Sequence, residues 1–142
     1  MAETWFSFLN LLPLPIWLSM MLFPKQRFTQ KMVLSYWPFI VLGGLYTLFV
    51  LISLVTSPGG LDLSFDALRQ SLTQEWAFVA AWTHYLALDL FAGVWIFRDA
   101  KYWGITPTWF LLFTLLAGPF GLASYLLWRQ RKKRNDPIRT LN

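Results

Sequence analysis

Two side chains capable of acid–base chemistry lie in one apolar stretch of this chain. His84 is the only histidine of the sequence, and Asp89 follows five residues later among apolar and aromatic residues. A carboxyl group in an apolar environment tends to stay protonated and can donate a proton. An imidazole accepts protons near neutral pH. The pair therefore predicts general acid–base chemistry, with Asp89 as the candidate acid and His84 as the candidate base.

The spacing of the pair limits how the two groups act together. Five residues along an α-helix correspond to a rotation of about 140° and a rise of about 7.5 Å. Side chains that chelate one metal from a helix favour spacings of three or four residues, so we predict no metal site here. A ligand that contacts both His84 and Asp89 must wrap around the helix or be long, as a polyene is. For such chemistry, we expect both groups to face a protein-lined space and not lipid.

Nearby aromatic and polar residues are candidates for ligand binding. Trp82, Tyr85 and Asp89 share one helix face. The candidate binding residues are Trp82, Tyr85, Trp95, Asn10 and Tyr46.

A purely structural alternative also stands. In it, His84 and Asp89 hold helices together, Asp89 through a hydrogen bond to Asn10, Tyr46, Thr47 or Ser53. Arg98 and Asp99 are predicted to form an ordinary charge pair at the end of the same helix.

The composition indicates a membrane protein. Of 142 residues, 56% are apolar and 13% are charged, whereas a soluble domain carries roughly 25% charged residues. The mean hydropathy is +0.47, and nine residues are Trp, which concentrates at membrane–water interfaces. The absence of cysteine excludes disulfides, thiolate metal sites and cysteine nucleophiles.

Four apolar segments have the length that a bilayer requires, about 20 residues. They comprise residues 5–23, with a break expected near Pro13 and Pro15, then 34–56, 76–97 and 108–128, with a kink expected at Gly118-Pro119. Residues 61–75 repeat apolar side chains at helical spacing and predict an amphipathic helix on the membrane surface. The predicted fold is all-α: an integral membrane bundle of four transmembrane helices with a short interfacial helix between the second and third.

Residues 1–128 are predicted to form the transmembrane domain and residues 129–142 a basic C-terminal tail. The net charge is +5, and the tail holds Arg129, Arg131, Lys132, Lys133, Arg134 and Arg139. Such a run beside a membrane span is typical of binding to anionic lipid headgroups. Without a folded basic surface behind it, the tail does not predict nucleic-acid binding. Basic residues are almost equally divided between the two sides, so the membrane orientation stays open.

Several sequence pieces, in order along the four segments, resemble one known family. The most specific is Trp82-x-His84-x4-Asp89-Leu90-Phe91-Ala92, continuing to Asp99. The others are Phe8-x-Asn10 with Pro13 and Pro15, Pro24-Lys25-x3-Thr29-x-Lys31-x3-Ser35, Val41-Leu42-Gly43-x-Leu45-Tyr46, and Gly118-Pro119-x-Gly121-x2-Ser124. Together they resemble the abscisic-acid-deficient-four family, plant and cyanobacterial membrane proteins linked to neoxanthin synthesis.

The resemblance implies a four-helix protein of a photosynthetic membrane that acts on, or associates with, xanthophylls. In plants the family is tied to conversion of the epoxy-carotenoid violaxanthin into allenic neoxanthin. That isomerisation requires an acid at the epoxide oxygen and a base at the departing hydrogen, and no redox cofactor. We hypothesise that Asp89 and His84 fill these roles in a carotenoid epoxide isomerase.

The alternative is a non-catalytic pigment-binding or assembly subunit of a photosynthetic membrane complex. The expected protein partners are such a complex or further copies of the same chain. There, His84 ligates the magnesium of a chlorophyll and the aromatic residues hold carotenoid. No transit sequence is evident, so we expect a cyanobacterial form, a multi-pass protein of the thylakoid or plasma membrane.

Overall fold

The chain is α-helical in the residues that the structure, a computed structural model, describes: 1–56 and 64–135. The helices are α1 (Ala2–Leu11), α2 (Leu14–Leu22), α3 (Arg27–Leu34), α4 (Trp37–Thr56), α5 (Phe65–Ser71), α6 (Glu75–Trp103) and α7 (Thr108–Asn135). Four stretches are long and apolar enough to cross a membrane: Ala2–Leu22, Trp37–Thr56, Glu75–Trp103 and Thr108–Asn135. The predicted all-α fold with four such segments is confirmed.

The first apolar segment is broken, as predicted. α1 ends at Leu11, where the N–H of Leu12 still donates to the Phe8 carbonyl at 3.1 Å, and α2 begins at Leu14. Pro13 has no N–H to continue the helical pattern and its ring would clash with the preceding turn, so the break occurs there.

α3 is a helix that the hydropathy pattern does not predict, because its sequence is polar on average. It buries Thr29 and Val33 on one face. The Thr29 hydroxyl donates to the Phe23 carbonyl and the Gln30 amide to the Pro24 carbonyl, both at 2.7 Å. These bonds satisfy carbonyls that follow α2. The second apolar helix consequently begins at Trp37, three residues after the predicted start.

The predicted amphipathic helix is present as α5. The Ser64 side chain accepts a hydrogen bond from the N–H of Ala67 and caps its N-terminus. The predicted residues 61–63, with the turn at 57–60, lie outside the described residues. Its position at the membrane surface stays a prediction.

The predicted kink in α7 is confirmed. Ala117 leaves helical geometry, with φ −152° and ψ 52°, and Pro119 removes a backbone donor. A Cβ at Gly121 would collide with the backbone and hydroxyl of Thr114. The bend therefore requires glycine at position 121.

Contacts divide the chain into two compact units. The first unit comprises Met1–Leu14 and Ser35–Leu88, and the second comprises Pro15–Leu34 and Asp89–Asn142. Buried apolar residues of the first include Leu9, Leu42, Phe49 and Val79, and those of the second include Trp17, Met20, Leu90, Ile96 and Leu111.

α4 exposes most of its apolar surface. Its only buried residues are Leu42 and Phe49, although its mean hydropathy is 2.3. A helix that is apolar on all sides and largely unburied is suited to contact with lipid.

We predict that Gly93→Ala destabilises the protein and that Gly43→Ala does not. A Cβ at Gly93 would collide with the ring of Trp17, a large, fully buried side chain, whereas nothing lies within 4 Å of a Cβ at Gly43. Overpacking of this kind costs about 1–3 kcal/mol. Thermal unfolding of the detergent-solubilised protein, followed by far-UV circular dichroism, measures the difference. Equal midpoints for the two variants would contradict the close Trp17–Gly93 packing.

Candidate functional site

A row of three aromatic side chains lies along one face of α6 in the first unit. Phe78, Trp82 and Tyr85 are spaced by four and three residues, so they share a helix face. The ring planes of Phe78 and Trp82 are 13° apart with centroids at 6.4 Å, and those of Trp82 and Tyr85 are 18° apart with centroids at 5.6 Å. We call these three residues the aromatic row.

Residues of α1 hold the aromatic row in place. The indole N–H of Trp82 donates to Asn10 Oδ1 at 2.9 Å, and Asn10 Nδ2 donates to the Phe6 carbonyl at 2.9 Å. The Phe6 ring in turn contacts Trp82 and Phe78, with centroids at 5.3 and 5.8 Å. Asn10, predicted from the sequence to bind ligand, therefore has its amide engaged in positioning Trp82.

His84 precedes Tyr85 on α6, points away from the face of the aromatic row, and has an exposed side chain. Its ring contacts that of Tyr46 on α4, with centroids 5.4 Å apart and planes at 46°. Neither imidazole nitrogen has a hydrogen-bond partner among residues 1–56 and 64–135. The expectation that His84 is shielded in a protein-lined space is therefore not met. Its nitrogens remain able to accept a proton or bind a ligand.

Asp89 lies in the second unit and is half-buried. Its carboxylate packs directly on Gly118, where an added Cβ would collide with Oδ1. Gly118 is next to Ala117, where α7 bends, and next to Pro119, which lacks an N–H. Asp89 is thus placed at the irregular turn of α7, where backbone polar groups depart from the regular helical pattern. Irregular backbone at membrane depth requires protein surroundings or a cavity.

The structure brings some of the predicted site residues into contact with one another. Trp82, Tyr85 and Asn10 form one contact group, and Tyr46 contacts His84. These residues belong to the first unit, whereas Asp89 and Trp95 belong to the second.

A second polar cluster, unpredicted from the sequence, surrounds Asp99. The Tyr125 hydroxyl donates to Asp99 Oδ2 at 2.5 Å, and Arg129 Nε lies 2.9 Å from the same oxygen. The Arg129 N–H is not aligned for a hydrogen bond, so this contact is an ion pair. The guanidinium also lies over the rings of Trp95 and Trp103, 5.8 and 5.5 Å from their centroids, an arrangement that attracts a cation.

The predicted Arg98–Asp99 charge pair is wrong. Consecutive helical residues point in different directions, and Arg98 is exposed while Asp99 pairs with Arg129. The sequence prediction missed this partner because it ended the last apolar helix at residue 128. Tyr125 and Arg129 are four residues apart, so a longer helix would have placed them on one face.

We predict that Asp99→Asn lowers the free energy of unfolding. Arg129 would lose its charge partner, and breaking a fully buried pair costs about 3–5 kcal/mol. Arg129 is one-third exposed, and solvent screening reduces the expected loss to about 1–3 kcal/mol.

Asp66→Asn is the matched control, since Asp66 is exposed on α5; it should change stability by less than about 0.5 kcal/mol. A double-mutant cycle of Asp99→Asn with Arg129→Gln then isolates the pair. A coupling energy of zero between the two positions would show that they do not interact.

Comparison with known proteins places the chain in a family. A family model described as ABA DEFICIENT 4-like matches residues 4–125. Protein ABA DEFICIENT 4, a chloroplastic protein of Arabidopsis thaliana, is 28% identical over 123 residues, covering 80% of this chain and 55% of the relative. The chain thus spans about half the length of the curated relative it matches.

No solved structure matches the chain. The residues matched by the family model include α1 from residue 4 onward, α2 to α6, the α7 kink and every site residue predicted from the sequence. The chain belongs to the ABA DEFICIENT 4-like family.

Proposed function

We propose that this protein acts in xanthophyll metabolism as a multi-pass protein of a photosynthetic membrane, and that it binds the end of a carotenoid at the aromatic row. Family membership supports the pathway class. The observation that carries the binding proposal is the Asn10–Trp82 hydrogen bond, which fixes the central ring of a three-ring surface. A thylakoid or plasma membrane of a cyanobacterium is the expected location.

An exposed binding face is compatible with such a ligand. A carotenoid dissolves in the bilayer, so it reaches the surface of a membrane helix laterally and needs no solvent-filled entrance. Tyr85 ends the row and is 41% exposed. Flat aromatic rings offer a large apolar contact area, and the Tyr85 hydroxyl is available to an oxygenated end ring.

The catalytic version of this proposal is the isomerisation of an epoxy-carotenoid. In that reaction the epoxide carbon–oxygen bond opens and the oxygen takes up a proton from an acid. A base removes a proton from a nearby chain carbon, whose bonding electrons form the new double bond of the allene. Atoms and electrons balance without an oxidant or reductant.

His84 is the proposed base, because its nitrogens lack hydrogen-bond partners in the described part of the chain and its ring contacts that of Tyr46. Asp89 is the proposed acid. Its carboxyl group packs against Gly118 at the bend of α7, where the backbone departs from helical geometry. The two residues belong to different units, so each role is proposed and tested separately.

The alternative function is non-catalytic pigment binding or assembly within a photosynthetic complex. One observation favours it: His84 is exposed and its nitrogens have no hydrogen-bond partner among residues 1–56 and 64–135, as an axial ligand for the magnesium of a chlorophyll would be. Chlorophyll bound there would supply light absorption and no proton transfer.

We predict that Tyr85→Ala weakens binding of an epoxy-xanthophyll by roughly three- to tenfold, the effect of removing one aromatic contact. Binding is measured by titrating the purified protein and recording the visible circular dichroism induced in the pigment. Tyr36→Ala is the matched control, because Tyr36 is 78% exposed and lies outside the row. Equal weakening by both variants would contradict binding at the aromatic row.

We predict that Asp89→Asn and His84→Gln each slow conversion of a supplied epoxy-xanthophyll by about 100-fold or more, the usual contribution of a positioned acid or base. Both variants should retain bound pigment. Asp66→Asn should convert it at the wild-type rate. Chromatographic separation of epoxide and allene measures the product.

Two outcomes of that assay have distinct meanings. A wild-type protein that binds the pigment and converts none would exclude the isomerase in favour of the assembly function. Chlorophyll that co-purifies with the wild type and disappears in His84→Gln would assign the imidazole to magnesium binding.

A further inference from the structure

The C-terminal part of α7 is a basic helix that continues beyond the apolar stretch. The helix extends to Asn135, seven residues past the predicted membrane end at Trp128. Residues 126–135 of this helix lie outside residues 4–125, which the family model matches. Of the six basic residues predicted for the tail, Arg139 lies outside the described residues, and the other five are on this helix.

Two of these five cations have partners within the chain. Arg129 pairs with Asp99, and Lys132 Nζ donates to the Gly104 carbonyl at 2.7 Å. Gly104 has φ +60° and terminates α6, so the Lys132 charge lies at the negative end of that helix dipole. These two contacts fix the orientation of the basic helix within the second unit.

The other three cations have no internal partner. Arg131, Lys133 and Arg134 are exposed, and none makes an ion pair or a hydrogen bond to a described residue. Asp99 is already paired with Arg129 and Tyr125. Within residues 1–56 and 64–135, no acidic side chain therefore offsets the positive charge of Arg131, Lys133 and Arg134.

A surface groove lies along the same part of α7. It has a volume of about 450 Å³ and is lined by Trp128, Arg131, Lys132 and Asn135. Trp128 is 54% exposed at the point where the apolar part of α7 ends, the position that tryptophan prefers at a membrane interface. The groove therefore combines cationic side chains and an amide with an aromatic ring at the end of the apolar part of α7.

We propose that this groove binds the phosphate headgroup of an anionic membrane lipid. Arg131 and the amide of Asn135 contact the phosphate, Lys132 adds charge from its site on Gly104, and Trp128 packs on the upper acyl chain. Lys133 and Arg134 make the local electrostatic potential more positive, which attracts the anionic lipids of the leaflet. The proposal is independent of the aromatic row and of any catalytic activity.

The test uses the full-length protein in nanodiscs or detergent. Native mass spectrometry with added phosphatidylglycerol or phosphatidylcholine measures the lipid affinity of the wild type and of two triple variants. The first variant is Arg131→Gln/Lys133→Gln/Arg134→Gln. The second, Lys25→Gln/Arg27→Gln/Lys31→Gln, removes the same charge from exposed residues that precede or lie on α3.

We expect the wild type to prefer phosphatidylglycerol and the first variant to lose about fivefold in affinity for each cation removed. The second variant should retain the preference. If both variants lost the same affinity for phosphatidylglycerol, the preference would follow from net charge alone, and the proposed site would be overturned. Inorganic phosphate that competes as well as the lipid, or an oligonucleotide that binds more tightly, would also overturn it. Unchanged thermal midpoints verify that the variants are folded.

Discussion

The hydrogen bond between the Trp82 indole and the Asn10 side chain connects α6 to α1 in an otherwise apolar region. In hydrocarbon, an unpaired N–H of this kind is costly, because water is absent and lipid offers no acceptor. The bond therefore constrains the orientation of the two side chains, whereas apolar contacts between membrane helices have no preferred direction. It fixes the orientation of the Trp82 ring, on which the rings of Phe78 and Tyr85 stack in the aromatic row.

Several polar side chains lie at places where the helices meet or bend. Asp99, Tyr125 and Arg129 join α6 to the end of α7 within the second unit. Asp89 lies on Gly118 at the α7 kink. A Cβ at position 93, 118 or 121 would collide with Trp17, Asp89 or Thr114, so glycine permits these close contacts. Small residues and polar contacts are what holds membrane helices together, since lipid tails are as apolar as the side chains that they surround.

The sequence predicts the membrane-spanning elements well because each depends on local properties. The length of the apolar stretches identifies the four long segments. Proline lacks a backbone N–H in any context, so Pro13 and Pro119 predict where a helix breaks or bends. The helix α3 was missed because hydropathy does not detect a short polar helix whose side chains bond to preceding carbonyls. The ends of α6 and α7 were placed too early because charged residues were assumed to end a helix, although they end only its apolar part.

The candidate site was only partly predictable. Residue types identified Trp82, Tyr85 and His84, and helical spacing correctly gave the shared face of Trp82 and Tyr85. The partnership of Asn10 with Trp82 joins residues 72 positions apart, and no local pattern encodes such a distance. The exposure of His84 likewise depends on which faces the other helices cover. Asp99 was assigned to its sequence neighbour Arg98 because the tertiary contact with Arg129 has no local signal.

Pigment analysis of the purified protein tests the central claim most directly. The wild type and Asn10→Ala are produced in a carotenoid-accumulating bacterium, and the pigments extracted from equal amounts of folded protein are identified and counted. An oriented aromatic row predicts near-stoichiometric xanthophyll on the wild type and a large loss in Asn10→Ala, whose Trp82 is released. Equal amounts of pigment on both proteins, or none on the wild type, would contradict carotenoid binding at this surface.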